Sequence, residues 1–327
     1  MNEATTKQYE NENDGSDRDR SDYDVVVIGG GAAGLSAALV LGRARRRVAV
    51  VDAAEPRNAP AAHMHGYLSR DGLPPATLLE LGRTELSGYG VRLRTARVDD
   101  VRAAAPGFAV RLAGGPQLTT RHVVVATGLR DELPDLPGVR ERWGKDVLHC
   151  PYCHGWEVRD RPLGVIASQP GSVHQALLVR QWSDDVVLFA NGLDLSAEDR
   201  ERLAARGVRI VAGAVERIAV ADGRLRGVEL VDGRALPRAA VFVAPRFVPH
   251  DALLTSLGAA AEAGWVTTDP AGRTSVPGVW ATGNVVDPRA QVITAAGAGA
   301  SLAFALNAEL VEEDVRAAVA GARAEAP

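Results

Sequence analysis

Residues 24–34 read Asp-Val-Val-Val-Ile-Gly-Gly-Gly-Ala-Ala-Gly, and this stretch decides the fold of the 327-residue chain. The β-branched run before Gly29 is typical of a buried parallel strand. A helical stretch follows from Leu35 to Ala44, and a second strand, 47–51, ends at Asp52. Strand, Gly-x-Gly-x-x-Gly, helix, strand and terminal acid together form the βαβ dinucleotide-binding fingerprint.

Each part of the fingerprint has a mechanical reason. Gly29 permits the tight turn, Gly31 lets backbone N–H groups approach a pyrophosphate, and Gly34 lets the helix pack closely on the strand. Asp52 is placed to accept a hydrogen bond from a ribose hydroxyl. The predicted phosphate-binding turn comprises Gly29, Gly30, Gly31, Ala32, Ala33 and Gly34.

Two further small-residue turns follow apolar runs later in the chain. The run 121–125 leads into Ala126-Thr127-Gly128, and the run 278–282 leads into Gly283-Asn284. An alanine-rich helix is predicted from about residue 290 to 310.

The only two cysteines, Cys150 and Cys153, are three positions apart and are followed by His154. The string Cys-x-x-Cys-His is also a c-type haem attachment motif. Haem attachment requires export and usually an axial methionine ligand, and the only methionines are Met1 and Met64. A zinc site would need two more ligands, and neighbouring residues seldom converge on one tetrahedral ion. A redox-active dithiol is favoured over both, and no metal is predicted.

Composition and charge narrow the class of protein. The net charge of −4 gives no reason to expect nucleic acid or an anionic membrane as a partner. No continuous apolar run approaches the roughly 20 residues that span a bilayer. Residues 1–20 are polar and charged, with no hydrophobic segment of a secretory signal. We therefore expect a disordered tail over 1–21 and a cytoplasmic location.

The fingerprint, the Ala126-Thr127-Gly128 turn, the late Thr-Gly-Asn and the intervening Cys-x-x-Cys resemble the thioredoxin reductase branch of the flavoprotein disulfide reductases. The resemblance covers about residues 22–315. It implies an α/β fold with two Rossmann-like dinucleotide-binding domains, of which the FAD domain is split by the other. FAD would be held by 22–132 and 250–315. The inserted NAD(P)-type domain would be 133–249 and carry the cysteines, with a C-terminal tail at 316–327.

The resemblance extends the set of expected FAD contacts beyond the first turn. Asn284 stands where the family usually has an aspartate that accepts a ribityl hydroxyl, and an amide oxygen can serve the same purpose. The further contacts implied by the resemblance are Asn58, Ala126, Thr127, Gly128, Gly283, Gln291 and Val292, beside Asp52.

The inserted domain departs from the resembling reductases at its nucleotide-binding positions. It has its own strand–helix–strand pattern over 162–190, but its turn reads Ala167-Ser-Gln-Pro-Gly-Ser172. Gln169 would fill the space that a pyrophosphate needs, and Pro170 lacks an N–H. The family's basic cluster for the phosphate of NADPH is replaced by residues 189–194, which hold no arginine. We expect that the nicotinamide site is lost, against the alternative that NADPH still binds in another way.

The dithiol has a plausible local chemistry. Pro151 fits the first position of a short helix and places Cys150 at its N-terminal end, where N–H groups stabilise a thiolate. By the resemblance, Cys153 would be the flavin-proximal thiol and Cys150 the one that exchanges with substrate. His154 replaces the family's usual aspartate and could act as the base for an incoming thiol. His63 and His65 could face the active site, although polar-loop histidines are more often simply solvated.

These features resemble the FAD-dependent dithiol oxidases that close disulfides in bacterial and fungal natural products of the holomycin and gliotoxin type. The resemblance implies a small-molecule dithiol as substrate, oxygen as acceptor and peroxide as by-product, in a homodimer. One alternative is a thioredoxin reductase-type enzyme fed by NADPH or another donor. A second is a non-catalytic flavin redox sensor.

Overall fold

The computed structural model describes residues 22–324. The expected tail at 1–21 lies outside the described residues. In chain order the helices are α1 (Ala32–Arg43), α2 (Pro75–Ser87), α3 (Val139–Arg142), α4 (Pro151–His154), α5 (Ser172–Val179), α6 (Ala197–Ala205), α7 (Ala252–Ser256) and α8 (Val292–Ala324), with a 3-10 turn at Gly283–Val285. The strands up to the cysteine pair are β1 (Asp22–Ile28), β2 (Val48–Asp52), β3 (Arg92–Thr95), β4 (Val98–Ala104), β5 (Gly107–Leu112), β6 (Gln117–Val125), β7 (Leu129–Glu132) and β8 (Val147–Leu148). The later strands are β9 (Leu163–Ile166), β10 (Val186–Phe189), β11 (Arg209–Val211), β12 (Val215–Ala221), β13 (Arg224–Leu230), β14 (Ala235–Pro237), β15 (Ala240–Val243), β16 (Arg246–Pro249), β17 (Ala261–Glu262), β18 (Trp265–Val266) and β19 (Val279–Ala281).

The described chain divides into two compact units. The first holds 22–56, 76–129 and 249–324, and the second holds 57–75 and 130–248. The first unit is therefore discontinuous in sequence, as the split FAD domain requires. The loop 57–75, which the sequence analysis assigned to the FAD domain, groups with the second unit instead. The composition of this short loop does not reveal the grouping, because the loop groups with residues that are far away in the chain.

The first unit is built on a seven-stranded sheet in the order β3-β2-β1-β6-β5-β4, in which β19 also pairs with β6. Strands β1, β2, β3, β6 and β19 are parallel, whereas β4 and β5 add an antiparallel extension. Alternate residues of β1 enter two separate cores, with Val26 and Ile28 on one face and Val25 and Val27 on the other. A strand buried on both faces explains why β1 is apolar without alternation.

The second unit repeats the architecture on a smaller scale. Its sheet has the order β11-β10-β9-β15-β8, and the pairs within it are parallel. Helix α5 follows β9 as the crossover to β10, and β12, β13 and β14 form an antiparallel sheet beside this layer. The two units thus share the Rossmann-type βαβ arrangement that the sequence predicts, one in each domain.

Helix α8 packs along α1 at a backbone distance that only glycine allows. A Cβ atom at Gly299 would lie 2.0 Å from the carbonyl oxygen of Ala33. The buried face of α8 ends at Leu310, and the last anchored turn carries Glu313, which accepts hydrogen bonds from Arg121, and Asp314, which pairs with Arg46.

The far end of α8 differs from expectation. Most of the stretch expected as a tail, 316–327, is helical as far as Ala324, because alanine-rich sequence continues a helix readily. By length and composition α8 could also cross a membrane, but this is weak evidence, since core helices of globular proteins pass the same test. Here the first half of α8 is packed on α1.

Two glycines of α8 provide a matched test of this packing. Gly299→Ala should lower the free energy of unfolding by about 1–3 kcal/mol, because the added methyl group forces α8 away from the Ala33 backbone. Gly297→Ala meets no atom within 4 Å and should stabilise the protein by up to about 1 kcal/mol through helix propensity. Denaturant unfolding of the two variants measures the difference. Equal effects would contradict the close approach of the two helices.

Candidate active site

The turn between β1 and α1 has the geometry of a phosphate cradle. Gly29 has φ +105°, and a Cβ there would lie 2.3 Å from the carbonyl oxygen of Ala126. A Cβ at Gly34 would lie 1.9 Å from the carbonyl oxygen of Gly29. In contrast, a Cβ at Gly31 would meet nothing within 4 Å. Gly29 and Gly34 are therefore needed for packing, whereas Gly31 faces open space that a ligand can fill.

The N-terminus of α1 is free to bind an anion. Gly31 is the N-cap and makes no side-chain capping hydrogen bond, and the first turn holds no acidic residue. Exposed N–H groups at the start of a twelve-residue helix attract phosphate through both hydrogen bonds and the helix dipole. Ala32 and Ala33 supply the first residues of this helix, where larger side chains would crowd the approach.

Asp52 lies at the end of β2, beside this turn. A Cβ at Gly30 would lie 2.8 Å from its carboxyl carbon, so the carboxylate reaches the glycine turn. Its Oδ2 atom accepts a hydrogen bond from Nη2 of Arg83 at 3.0 Å. The sequence analysis did not find Arg83, since a single arginine on α2 carries no motif. The position of Asp52 suits the ribose role predicted for it, which stays a prediction.

Several of the other predicted FAD contacts in the first unit lie together among small residues. Ala126 packs with Ala33 and Ala295, and a Cβ at Gly283 would lie 2.9 Å from the Cβ of Ala33. Gly283 and Gly128 have positive φ values of +73° and +70°. The hydroxyl of Thr127 donates to the carbonyl oxygen of His250 at 2.7 Å, and Gln291 and Val292 stand at the start of α8. Asn58, also predicted as a contact, belongs to the second unit.

Asn284 is held by a pair of backbone carbonyls. Its Nδ2 donates to the carbonyl oxygens of Asp287 at 2.8 Å and Ala290 at 2.9 Å. A carboxylate has no hydrogen to donate and would be repelled by both oxygens, which explains physically why this position holds asparagine. The same two hydrogen bonds fix the orientation of the amide group.

Thr282, immediately before Gly283, was missed by the sequence analysis. Its hydroxyl is buried and has no hydrogen-bond partner in the structure. Buried hydroxyls are normally paired, so this orphaned atom, together with the open space at Gly31, indicates that the first unit is shaped for a polar ligand. These features suit the FAD site that the sequence predicts at this turn, and the assignment of individual residues to FAD stays a prediction.

The cysteines of the second unit form a disulfide across α4. Cys150 and Cys153 are linked with their Cα atoms 5.3 Å apart. Cys150 is the N-cap of α4 and Pro151 occupies the first helical position, as predicted from the sequence. The carbonyl oxygen of Cys150 accepts the N–H groups of Cys153 and His154, both at 3.2 Å. The helix therefore brings the two sulfur atoms together within one turn of chain.

Two histidines flank the disulfide in sequence, and both are largely buried. Burial lowers the pKa of His154 below its ordinary value of 6.5, against the opposing effect of Glu157, and the neighbouring His65 and His149 lower it further. Burial also lowers the pKa of His149, and its hydrogen bond to Val243 offsets this only in part. Both imidazoles are therefore neutral at pH 7 and able to accept a proton.

His149, directly before Cys150, is oriented by contacts from other elements of the second unit. Its Nδ1 lies 3.3 Å from the carbonyl oxygen of Val243, which requires a hydrogen on Nδ1 and leaves the lone pair on Nε2. Its ring meets Phe247 edge-on at 5.2 Å, and its own carbonyl oxygen accepts from Gln175 at 2.8 Å. The tautomer and the ring orientation are thus set by contacts from distant strands and helices, which sequence patterns do not reveal.

The loop 57–75 contributes His65 to the same region of the second unit. Its Nε2 lies 3.4 Å from Oε1 of Glu157 and its Nδ1 lies 3.3 Å from Oδ2 of Asp71. His65 is therefore an ordered member of a charged group next to His154, rather than a solvated loop residue. His63, in contrast, is exposed.

The second dinucleotide turn is closed by its own side chains. The buried hydroxyl of Ser172 accepts the N–H groups of Ser168 at 3.1 Å and Gln169 at 3.4 Å. The N–H groups of Ser172 and Val173 donate back to carbonyl oxygens within the turn, and Pro170 has no N–H. The N–H groups of Ser168, Gln169, Ser172 and Val173 are thus already paired inside the protein.

The side chain of Asn191, which follows β10, forms hydrogen bonds to the backbone of two neighbouring segments. Its Nδ2 donates to the carbonyl oxygen of Ala167 at 3.1 Å, and its Oδ1 accepts the N–H of Val215 at 2.9 Å. This side chain ties β9, β10 and β12 together at the edge where the second nucleotide would approach. These hydrogen bonds add to the missing glycines and arginines as grounds for expecting that the nicotinamide site is lost, and that loss stays a prediction.

Comparison with known proteins places the chain among flavin-dependent disulfide oxidoreductases. The family model described as pyridine nucleotide-disulphide oxidoreductase matches residues 23–300. Thioredoxin reductase sirT of Leptosphaeria maculans is 33% identical over 315 residues, which cover 90% of this chain and 96% of that protein. A probable thioredoxin reductase of Arthroderma benhamiae is 35% identical over 184 residues, and this match spans 54% of this chain and only 46% of that protein.

Solved structures agree with this placement. The crystal structure of HlmI superimposes with a TM-score of 0.91 at 62% identity, covering 93% of this chain and 98% of that one. An oxidoreductase from Agrobacterium tumefaciens gives a TM-score of 0.84 at 38% identity and covers 89% and 99%.

Asn284→Asp tests whether Asn284 contributes to flavin binding. We expect a lower flavin content per chain, because a carboxylate would be repelled by the Asp287 and Ala290 carbonyl oxygens and would reorient. The matched control is Asn191→Asp, which also faces a backbone carbonyl but lies in the second unit and should leave flavin content unchanged. Absorbance of the purified proteins at flavin wavelengths gives the stoichiometry. Full flavin content in Asn284→Asp would contradict the assignment.

Proposed function

The chain belongs to the pyridine nucleotide-disulphide oxidoreductase family, and we propose that it is an FAD-dependent dithiol oxidase that closes a disulfide within a small-molecule dithiol. Oxygen is the electron acceptor and peroxide the by-product. The enzyme acts in the cytoplasm as a homodimer. The observation that carries this proposal is the second dinucleotide turn, whose N–H groups are paired with Ser172 and with the turn itself. Without a nicotinamide site NADPH cannot supply the electrons, and in this proposal the dithiol supplies them.

The first half of the reaction uses residues of the second unit. A thiolate of the substrate attacks Sγ of Cys150, the Cys150–Cys153 bond breaks, and Cys153 leaves as a thiolate. The second substrate thiol then attacks the substrate sulfur of the mixed disulfide, which releases the cyclic disulfide product and the Cys150 thiolate. Two protons leave the substrate in these steps. His154 and His149, both neutral at pH 7, are the bases that accept them.

The reduced cysteine pair must be oxidised again for turnover. FAD, when bound, would supply this two-electron chemistry, with oxygen as the proposed final acceptor. The residues proposed to hold it are those of the α1 turn, with Asp52, Thr282, Gly283 and Asn284. The overall balance is one dithiol and one oxygen molecule converted to one disulfide and one hydrogen peroxide.

The alternative is a disulfide reductase of the thioredoxin reductase type, and the names of the fungal relatives favour it. That enzyme would run in the opposite direction, from NADPH to a disulfide. It requires phosphate-binding donors in the second unit, and the N–H groups of Ser168, Gln169, Ser172 and Val173 are paired internally.

Anaerobic titration separates the two reactions. NADPH should leave the flavin absorbance unchanged, whereas a small dithiol should bleach it, and re-aeration should restore the colour with about one peroxide per dithiol. Cys150→Ser should retain flavin and lose bleaching by the dithiol. A conventional thioredoxin reductase serves as the positive control for NADPH. Rapid bleaching of the flavin by NADPH would favour the reductase and contradict the oxidase proposal.

The histidines predict the pH dependence and a mutational effect. Since the pKa of both His149 and His154 is lowered below 6.5, the bases stay unprotonated as pH falls to that value, and kcat/KM should decline only below it. His154→Gln should reduce kcat/KM by about 10²–10⁴-fold, the usual contribution of a general base. His63→Gln, an exposed histidine of the same unit, is the matched control and should leave the rate unchanged. Steady-state oxygen consumption from pH 5 to 9 measures both effects.

A further inference from the structure

An ion pair of the second unit lies close to His149. Arg57, the first residue of the loop 57–75, makes two hydrogen bonds to Asp131 of β7, from Nε at 2.9 Å and from Nη2 at 2.7 Å. A guanidinium and a carboxylate joined by two parallel hydrogen bonds are fixed in orientation as well as in distance. The side chain of Asp131 is 11% exposed and that of Arg57 is 28% exposed, so solvent screens these two charges only weakly.

The ion pair is connected to His149 through the ring of Phe247. The guanidinium carbon of Arg57 lies 5.1 Å from the centre of this ring, and the ring meets the imidazole of His149 edge-on at 5.2 Å. A guanidinium over an aromatic face is attracted to it. Strand β16, which carries Phe247, pairs with β7, which carries Asp131. Arg57 therefore restrains the Phe247 ring, and this ring in turn restrains the imidazole of His149.

The two members of the ion pair act on His149 in opposite directions. Burial is the main cause that lowers the pKa of His149. The hydrogen bond to Val243 and the carboxylate of Asp131 raise this pKa, and the guanidinium of Arg57 lowers it. Since Arg57 and Asp131 are hydrogen-bonded to each other, their effects on the imidazole partly cancel.

The charged groups that act on His154, the other base beside the disulfide, are a different set. After burial, the pKa of His154 responds to Glu157, which raises it, and to His65 and His149, which lower it. Substitutions at the Arg57–Asp131 pair therefore distinguish His149 from His154.

A base beside the disulfide must accept a proton and release it again before the next turnover. A lone carboxylate next to a buried imidazole would hold the proton, because it stabilises the imidazolium, and a lone guanidinium would weaken the base by the opposite effect. We propose that the Arg57–Asp131 pair positions His149 as the base for the first substrate thiol, by restraining its ring through Phe247 and by presenting it with balanced charges.

The proton transfer itself rests on the dithiol oxidase function proposed above. The S–H bond of the substrate breaks, its electron pair stays on sulfur, and the proton binds to Nε2 of His149, whose Nδ1 faces the carbonyl oxygen of Val243. The thiolate then attacks Sγ of Cys150. Arg57 and Asp131 act through His149, so they are positioning residues of this reaction.

Histidine NMR of the FAD-loaded protein tests the ion pair without turnover. The chain has seven histidines, and His149→Gln identifies the His149 signal in protein with isotope-labelled histidine. Arg57→Gln should raise the midpoint of the His149 titration by about 0.5–1 pH unit, because the carboxylate of Asp131 loses its partner. Asp131→Asn should lower this midpoint by a similar amount, and the double variant should return it close to that of the unaltered protein.

The pH profile of kcat/KM for a small dithiol should follow the NMR titration. The acid limb, where the base becomes protonated, should move to higher pH in Arg57→Gln and to lower pH in Asp131→Asn. Arg57→Lys keeps the positive charge and should leave the midpoint of this limb in place. Steady-state oxygen consumption measures these profiles.

Arg142→Gln is the matched control for both measurements. It breaks another doubly hydrogen-bonded pair of the second unit, Arg142–Asp146, in which both side chains are also largely buried. The His149 titration and the acid limb should stay in place in this variant. Circular dichroism and flavin content show whether each variant is folded.

Opposite shifts in the two single variants support the proposal, since a general loss of packing would move both midpoints in the same direction. Shifts in the same direction, no shift, or an equal shift in Arg142→Gln would overturn it. An acid limb that stays in place while the His149 titration moves would also overturn it, because another group would then be the base. If the unaltered protein turned over no dithiol, the oxidase function would fail, whereas opposite NMR shifts would still support the control of His149 by this ion pair.

Discussion

Contact between backbones at the first βαβ turn is the constraint on which the flavin-binding unit depends. Gly29 lies against the Ala126 carbonyl, Gly34 against the Gly29 carbonyl and Gly299 against the Ala33 carbonyl, each at a distance that excludes a Cβ atom. These three contacts bring β6, α1 and α8 to one point. The cradle for a phosphate, the small-residue cluster around Ala33 and the start of the last helix are all positioned by them. Side chains are kept out of this point, and a ligand can enter at Gly31.

The two units show how one architecture can be open to a nucleotide or closed to it. In the first, the helix N-terminus has no side-chain cap and Gly31 faces free space. In the second, the hydroxyl of Ser172 accepts two N–H groups of the turn. The strand–helix–strand order is the same in both. The difference in chemistry comes from a few side chains at the turn, while the layers behind it are unchanged.

The sequence predicted the parts of the molecule that rest on local pattern. The βαβ unit at 24–52, the small-residue turns at residues 126 and 283 and the position of Cys150 at a helix start depend on spacing within a few residues, and spacing is visible in a sequence. The orientation of His149 by Val243, the ordering of His65 by Glu157 and the buried hydroxyl of Thr282 depend on residues brought together from far apart. The grouping of the loop 57–75 with the second unit was missed for the same reason.

The closed turn of the second unit also limits how the sequence of this protein can change. A return to nicotinamide binding would need a small residue in place of Gln169, an N–H donor in place of Pro170, the loss of the Ser172 hydroxyl from the turn and new basic residues after β10. Each replacement alone removes a contact or a cap and adds no affinity for a nucleotide, because the remaining changes are still absent. If the nicotinamide site is lost as proposed, no single substitution at this turn is expected to restore it.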